Sequence, residues 1–148
     1  MIRFGVVGTN WITDAFIRGA SLNKGFRLNA VYSRTKERAQ QFAGKYLVEN
    51  IFTDLNEMAE SKSIDAVYIA SPNSLHKKQS ILFLNNQKHV LCEKPLASNC
   101  KEVMQMIKVA KNNKVLLMEA MKTTFLPNFN AVKEKIAAGI TKVLTDIG

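Results

Sequence analysis

Ile2-Arg3-Phe4-Gly5-Val6-Val7-Gly8-Thr9-Asn10-Trp11-Ile12-Thr13 joins a short apolar run, through one glycine, to the start of a helical pattern. Ile2 to Val7 reads as a central parallel strand, because a strand buried on both faces is apolar throughout rather than alternating. From Trp11 to Leu22 the apolar residues Ile12, Ala15, Phe16 and Ala20 recur at helical spacing, and Asn23-Lys24-Gly25 stops the helix. A tight strand–turn–helix of this kind can hold a pyrophosphate, since the helix N-terminus offers unpaired N–H groups and a positive dipole end. Against the frame G-x-G-x-x-G only Gly8 is intact; Asn10 stands at the second glycine position and Thr13 at the third. Asn10 is expected to tolerate a positive φ there. An ordinary strand–turn–helix remains the bland alternative.

Outward from this unit the chain alternates strand and helix. Further strands are expected at Phe26 to Tyr32, Ile51-Phe52, Ala66 to Ala70, Val90-Leu91 and Val115 to Met118. Between them lie a helix capped by Thr35 with Ala39, Phe42 and Ala43 inward, and a short one capped by Asp54. A third runs through Ile81, Leu82 and Leu84, and a fourth, capped by Ser98 or Asn99, carries Val103, Met106, Ile107 and Ala110. Six strands with intervening helices predict an α/β fold, a doubly wound parallel sheet of the Rossmann dinucleotide-binding type. The rhythm changes after Met118. Residues 1–121 are assigned to this domain, and residues 122–148 to the beginning of a second α+β domain. That second part holds a helix from Pro127 to Ala138, ended by Gly139, and a β-rich run from Ile140 to Ile147.

Composition narrows the classes. Apolar residues make up 47% and charged ones 22%, as in a globular protein rather than a disordered one. No run approaches the roughly 20 apolar residues of a membrane span, and the first apolar stretch is too short for a signal peptide; a cytoplasmic location and no membrane partner are expected. The net charge of +9 invites a nucleic-acid reading. The lysines are dispersed, however, and Lys77-Lys78 has no aromatic residues around it, so no nucleic-acid partner is expected. Cys92 and Cys100 lack the spacing of a metal or disulfide site, and Cys92 reads as a core residue. No metal is expected.

Three further strand ends could carry chemistry. After the second strand comes Tyr32-Ser33-Arg34-Thr35, with Arg38 one helical turn on. No carboxylate is placed to hold the ribose 2′-OH of NAD, whereas a hydroxyl followed by arginine suits the 2′-phosphate of NADP. A solvated turn with a capping threonine is the alternative. After the fourth strand, Ser71-Pro72-Asn73-Ser74-Leu75-His76 lies beside the nicotinamide half of such a cofactor, or is simply a turn followed by a surface histidine. After the fifth, Cys92-Glu93-Lys94-Pro95 could project an ammonium into the cleft to orient a hydroxyl or move its proton, or be a plain surface turn.

Together with Met118-Glu119-Ala120-Met121, these stretches resemble, in order and spacing, the Gfo/Idh/MocA oxidoreductases. The resemblance implies a two-domain enzyme that passes hydride between NADP, or NAD as second choice, and a small-molecule substrate of sugar, polyol or related alcohol type. It implies that Lys94 is catalytic and touches substrate and nicotinamide ribose. It further implies a cofactor site of Gly8, Thr9, Asn10, Trp11, Ile12, Ser33, Arg34, Thr35, Arg38, Ser71, Pro72, Asn73, Leu75, His76, Glu93 and Lys94. The histidine and aspartate completing the catalytic set would lie beyond this chain, as would the surface of a homo-oligomer, leaving the chain alone inactive. Lys122-Thr123-Thr124-Phe125 departs from the family's Trp-Thr-Arg-Phe. A non-catalytic dinucleotide-binding regulatory module is the competing reading.

Overall fold

The computed structural model describes residues 1–139; the run expected as a strand from Ile140 to Ile147 lies outside them. Six strands form one parallel sheet: β1 (Ile2–Val7), β2 (Phe26–Tyr32), β3 (Asn50–Phe52), β4 (Ala66–Ile69), β5 (His89–Cys92) and β6 (Leu117–Glu119). Their order is β3-β2-β1-β4-β5-β6, so the chain works outward in one direction from β1 and then in the other from β4. The helices are α1 (Trp11–Ala20), α2 (Lys36–Gly44), α3 (Leu55–Glu60), α4 (His76–Asn85), α5 (Cys100–Asn113) and α6 (Pro127–Ala137).

Both sheet faces are buried, as the apolar runs require. Phe4 and Val6 of β1, with Tyr68 and Ala70 at β4, meet Ile17 of α1 and Phe42 and Ala43 of α2. Val7, Val67 and Ile69 point the other way, onto Met58 of α3, Phe83 and Leu84 of α4 and Ala110 of α5. Fully burying one such large side chain contributes about 1.5–3 kcal/mol, so two cores rather than local propensity fix the architecture.

Two boundaries differ from expectation by two residues, the others by at most one. The first helix ends at Ala20, not Leu22, where Ser21 caps it by returning its N–H to the Ile17 carbonyl at 2.9 Å and its hydroxyl to that of Arg18 at 2.8 Å. The last strand begins two residues late. Lys114 turns the end of α5 in the left-handed region (φ 55°); Val115 N–H then bonds back to Ala110, and only from Leu117 does the chain lie opposite Val90. From Met121 to Gly139 every residue is exposed, and α6 rests chiefly on the short 3₁₀ turn Lys122–Phe125 before it. No helix among the described residues is long and apolar enough to cross a membrane.

Candidate functional site

β1 and β4 are neighbours whose chains leave toward opposite sides of the sheet, and their carboxyl ends open a crevice. In open α/β sheets this is where ligands bind. Gly8 makes the turn with φ +108°, and a Cβ there would stand 2.5 Å from the Ala70 carbonyl oxygen, so the position admits only glycine. Asn10 does something other than expected. Its backbone is extended (φ −105°) and it is the N-cap of α1. Its Oδ1 accepts from the N–H groups of Ile12 (3.1 Å) and Thr13 (3.2 Å), while Nδ2 donates to the Ala70 carbonyl at 2.9 Å. Thr13, fully buried, adds its hydroxyl to the same Oδ1. The glycine frame is therefore replaced by a side-chain cap that also ties the turn to β4.

At the end of β2, Ser33 is buried and Arg34 exposed, and Thr35 caps α2. Arg38 reaches back from α2 to the first turn, where Nε donates to Thr9 Oγ1 at 2.9 Å and its other end to the Thr9 carbonyl at 3.1 Å. Arg38 is thus engaged at the β1 turn, whereas Arg34, exposed just past β2, has no hydrogen-bond or ion-pair partner among the described residues.

The turns after β4 and β5 are joined. His76 is fully buried rather than on the surface. One ring nitrogen faces the Ser71 carbonyl at 2.9 Å and the other that of Pro95 at 2.8 Å, so the ring is turned inward and has no nitrogen left for a ligand. Ser71 also donates its hydroxyl to buried Gln79 at 2.6 Å. Tyr68 donates to Glu93 Oε1 at 2.5 Å, and its ring stacks on Phe16 of α1 with centroids 3.9 Å apart. Burial first, and the Glu93 bond second, push this phenol far above its ordinary value, so it stays a donor. Glu119 accepts the Leu96 N–H at 2.8 Å. Burial likewise pushes the Cys92 thiol up to about 12, which leaves it an inert core group.

A cleft of about 1010 Å³ lies along this edge, at the upper end of the range for small-molecule and cofactor sites, roughly 300–1,000 Å³. Of the residues expected from sequence it gathers Asn10, Trp11, Ile12, Ser71, Asn73, Glu93 and Lys94. Gly8, Thr9, Ser33, Arg34, Thr35 and Arg38 belong to the adjoining stretch over β1 and β2, while Pro72 and Leu75 are exposed outside the cleft and His76 lies beneath it. Sequence reasoning gave no role to Phe16, Tyr68 or Glu119, all of which line it. A signal existed for two: Tyr68 is the one hydroxyl in an apolar strand, and Glu119 a carboxylate at a strand's carboxyl end. Among the described residues no three histidine, cysteine or carboxylate side chains converge as a metal site would require.

The turn after β1 has the free donors that a dinucleotide's pyrophosphate requires. With Ile12 and Thr13 served by Asn10, the N–H groups of Thr9, Asn10 and Trp11 make no hydrogen bond among the described residues, and they sit at the positive end of α1.

Residues 2–121 match the model of a family described as an oxidoreductase family with an NAD-binding Rossmann fold. The chain is 60% identical over 136 residues to the scyllo-inositol 2-dehydrogenase (NADP(+)) of Bacillus subtilis, which covers 92% of this chain and 42% of that protein. It is 31% identical over 140 residues to the human trans-1,2-dihydrobenzene-1,2-diol dehydrogenase, covering 93% and 42%. A solved 3-ketoreductase from Actinomadura kijaniata, in complex with NADP and TDP-benzene, superposes with a TM-score of 0.87 at 27% identity, over 94% of this chain and 43% of that one. The chain thus spans about two fifths of the length of these relatives.

Proposed function

The chain belongs to the Gfo/Idh/MocA oxidoreductase family, and on that premise we propose that it is the dinucleotide-binding part of an enzyme moving hydride between NADP(H) and an inositol-like polyol, sugar or related alcohol. NAD(H) is the second choice of cofactor. Residues 1–121 bind the dinucleotide, and residues 122–148 begin the substrate domain. The observation that carries this reading is the cleft at the β1/β4 reversal. Asn10 and Trp11 of the turn after Gly8 line it, with N–H groups that make no hydrogen bond among the described residues, and so does Lys94, whose ammonium has no partner among them.

The residues divide the work by position. Gly8 to Ile12 hold the pyrophosphate through backbone N–H groups. Ser33, Arg34, Thr35 and Arg38 take the 2′-phosphate, with Arg38 leaving or sharing its bonds to Thr9. Ser71, Pro72, Asn73 and Leu75 border the nicotinamide half, and His76 holds that border from behind. A bound nicotinamide would supply the hydride acceptor or donor. Oxidation of an alcohol also removes the hydroxyl proton: the neutral Lys94 amine, on its flexible stem, accepts that proton and becomes an ammonium, and in the reverse direction the ammonium returns it to the substrate oxygen. The B. subtilis relative, named for NADP and scyllo-inositol, supports both the cofactor and the substrate class.

Titration of the chain with NADP and NAD, followed by the fluorescence of Trp11, its single tryptophan, tests the reading. NADP should bind more tightly, and Arg34→Ala should weaken NADP about tenfold while leaving NAD unchanged, the effect of losing one charge-assisted phosphate contact. Equal loss for both would remove Arg34 from the 2′-phosphate site, and no binding of either by the unaltered chain would overturn the reading.

A further inference from the structure

Lys94 presents a contrast between a free side chain and a fixed backbone. Among the described residues its ammonium makes no hydrogen bond or ion pair, yet the residues on both sides of it are held from three different elements. Glu93 accepts the Tyr68 hydroxyl from β4 at 2.5 Å. The Pro95 carbonyl meets His76 of α4 at 2.8 Å, and the Leu96 N–H donates to Glu119 of β6 at 2.8 Å. Glu93 closes the frame by accepting the Lys94 N–H on its other oxygen at 3.2 Å.

Packing alone does not account for the Tyr68 hydroxyl. The ring is buried in an apolar face and stacked on Phe16, a slot that phenylalanine would fill without leaving a polar atom to satisfy. The hydroxyl has a partner because Tyr68 lies in register with Leu91 of β5, and residues two apart on a strand point to the same face. That brings Glu93 within reach just past the strand end. On the far side of β5, Glu119 is in register with Cys92 and reaches Leu96. The two neighbours of β5 thus grip the same turn from opposite sides.

We infer that Tyr68 and Glu119 are positioning residues for Lys94, Tyr68 acting through Glu93 and Glu119 through the Leu96 N–H, and that together they set where the ammonium stands in the cleft. The inference rests on the reading of Lys94 as a cofactor contact. Neither residue need touch the cofactor or the substrate to do this.

A double-mutant cycle on the whole chain tests it, with NADPH as the ligand and its dissociation constant as the readout. Lys94→Ala should weaken binding about tenfold, and Tyr68→Phe about three- to fivefold, the size expected of one lost hydrogen bond. In the K94A background Tyr68→Phe should have no further effect, because what it positions is gone. Equal weakening by Y68F in both backgrounds would overturn the inference, since Tyr68 would then act on the fold at large or through Glu93 alone. Failure of the underlying reading looks different: K94A would leave the affinity unchanged, and NADPH would not protect Lys94 from acylation by an amine reagent. Thermal melting checks that each variant folds. Should Y68F not fold, Glu119→Ala replaces it in the cycle. Glu119→Gln, which keeps an oxygen to accept the Leu96 N–H, should restore the affinity that E119A loses; no rescue would overturn the role of Glu119.

Discussion

The turns after β1 and β5 lie at the same edge of one sheet and border the same cleft, yet they are held in opposite ways. The first is almost self-contained: Gly8 supplies the bend, and Asn10 caps the helix two and three residues further on. Among the described residues three side-chain bonds tie it to the rest of the fold, one from Asn10 to Ala70 and two from Arg38 of α2 to Thr9. The turn from Glu93 to Leu96 is anchored by Tyr68, His76 and Glu119, which are 25, 19 and 23 residues away from their partners in sequence. A local turn presents backbone, which suits a group common to all dinucleotides. A turn anchored at long range places a single side chain, which suits a reacting group that must stand in one place.

The largest effect is expected at Gly8. Alanine there would adopt a backbone conformation foreign to L-residues and collide with the Ala70 carbonyl. Gly8→Ala should therefore cost about 4 kcal/mol in urea denaturation, combining backbone strain with overpacking. A loss under about 1 kcal/mol would mean that the turn relaxes freely and is not the fixed element described here.

The same difference explains what could be read from the sequence alone. The sheet was legible because both its faces are buried, which makes Phe4–Val7 and Ala66–Ile69 apolar without alternation. The caps at Thr35, Asp54 and Asn99 were legible because capping is decided within three residues. Asn10 serves through its side-chain oxygen, not through tolerance of positive φ. The residue types of Tyr68 and Glu119 are a signal in the sequence, but what they hold, like the inward turn of His76, was not legible, since each depends on a partner at least 19 residues distant. The motifs Ser71–His76 and Glu93–Pro95 pointed to the site. That His76 joins one motif to the other is a fact of the fold.

His76 is the second place to press. Removing its ring leaves the Ser71 and Pro95 carbonyls without that partner and opens a cavity between the two turns. His76→Ala should cost about 3 kcal/mol and, unlike Gly8→Ala, should disturb the amide resonances of both Ser71–Asn73 and Leu96 while sparing those of Thr9–Thr13. Disturbance confined to one of the two turns would show that the ring does not couple them.

The smallest expected effect separates the turns by chemistry. None of the groups that hold the first turn from within titrates, whereas the second depends on a protonated phenol. Tyr68 is raised in the folded chain by burial and by its bond to Glu93, while in the unfolded chain it should ionise near its ordinary value of about 10. The unfolded state then releases its proton first as pH rises, so the stability Tyr68 confers is complete below about pH 10 and declines above it. Tyr46, pushed up to about 12 chiefly by burial and then by Asp14, and Cys92 add to the same alkaline decline. The diagnostic is therefore the difference made by Tyr68→Phe: between pH 10 and 11 its stability should fall less steeply than that of the unaltered chain, by up to about 1.4 kcal/mol per pH unit. Parallel curves would mean that the phenol titrates alike in both states, and that the bond to Glu93 does not hold the turn in solution.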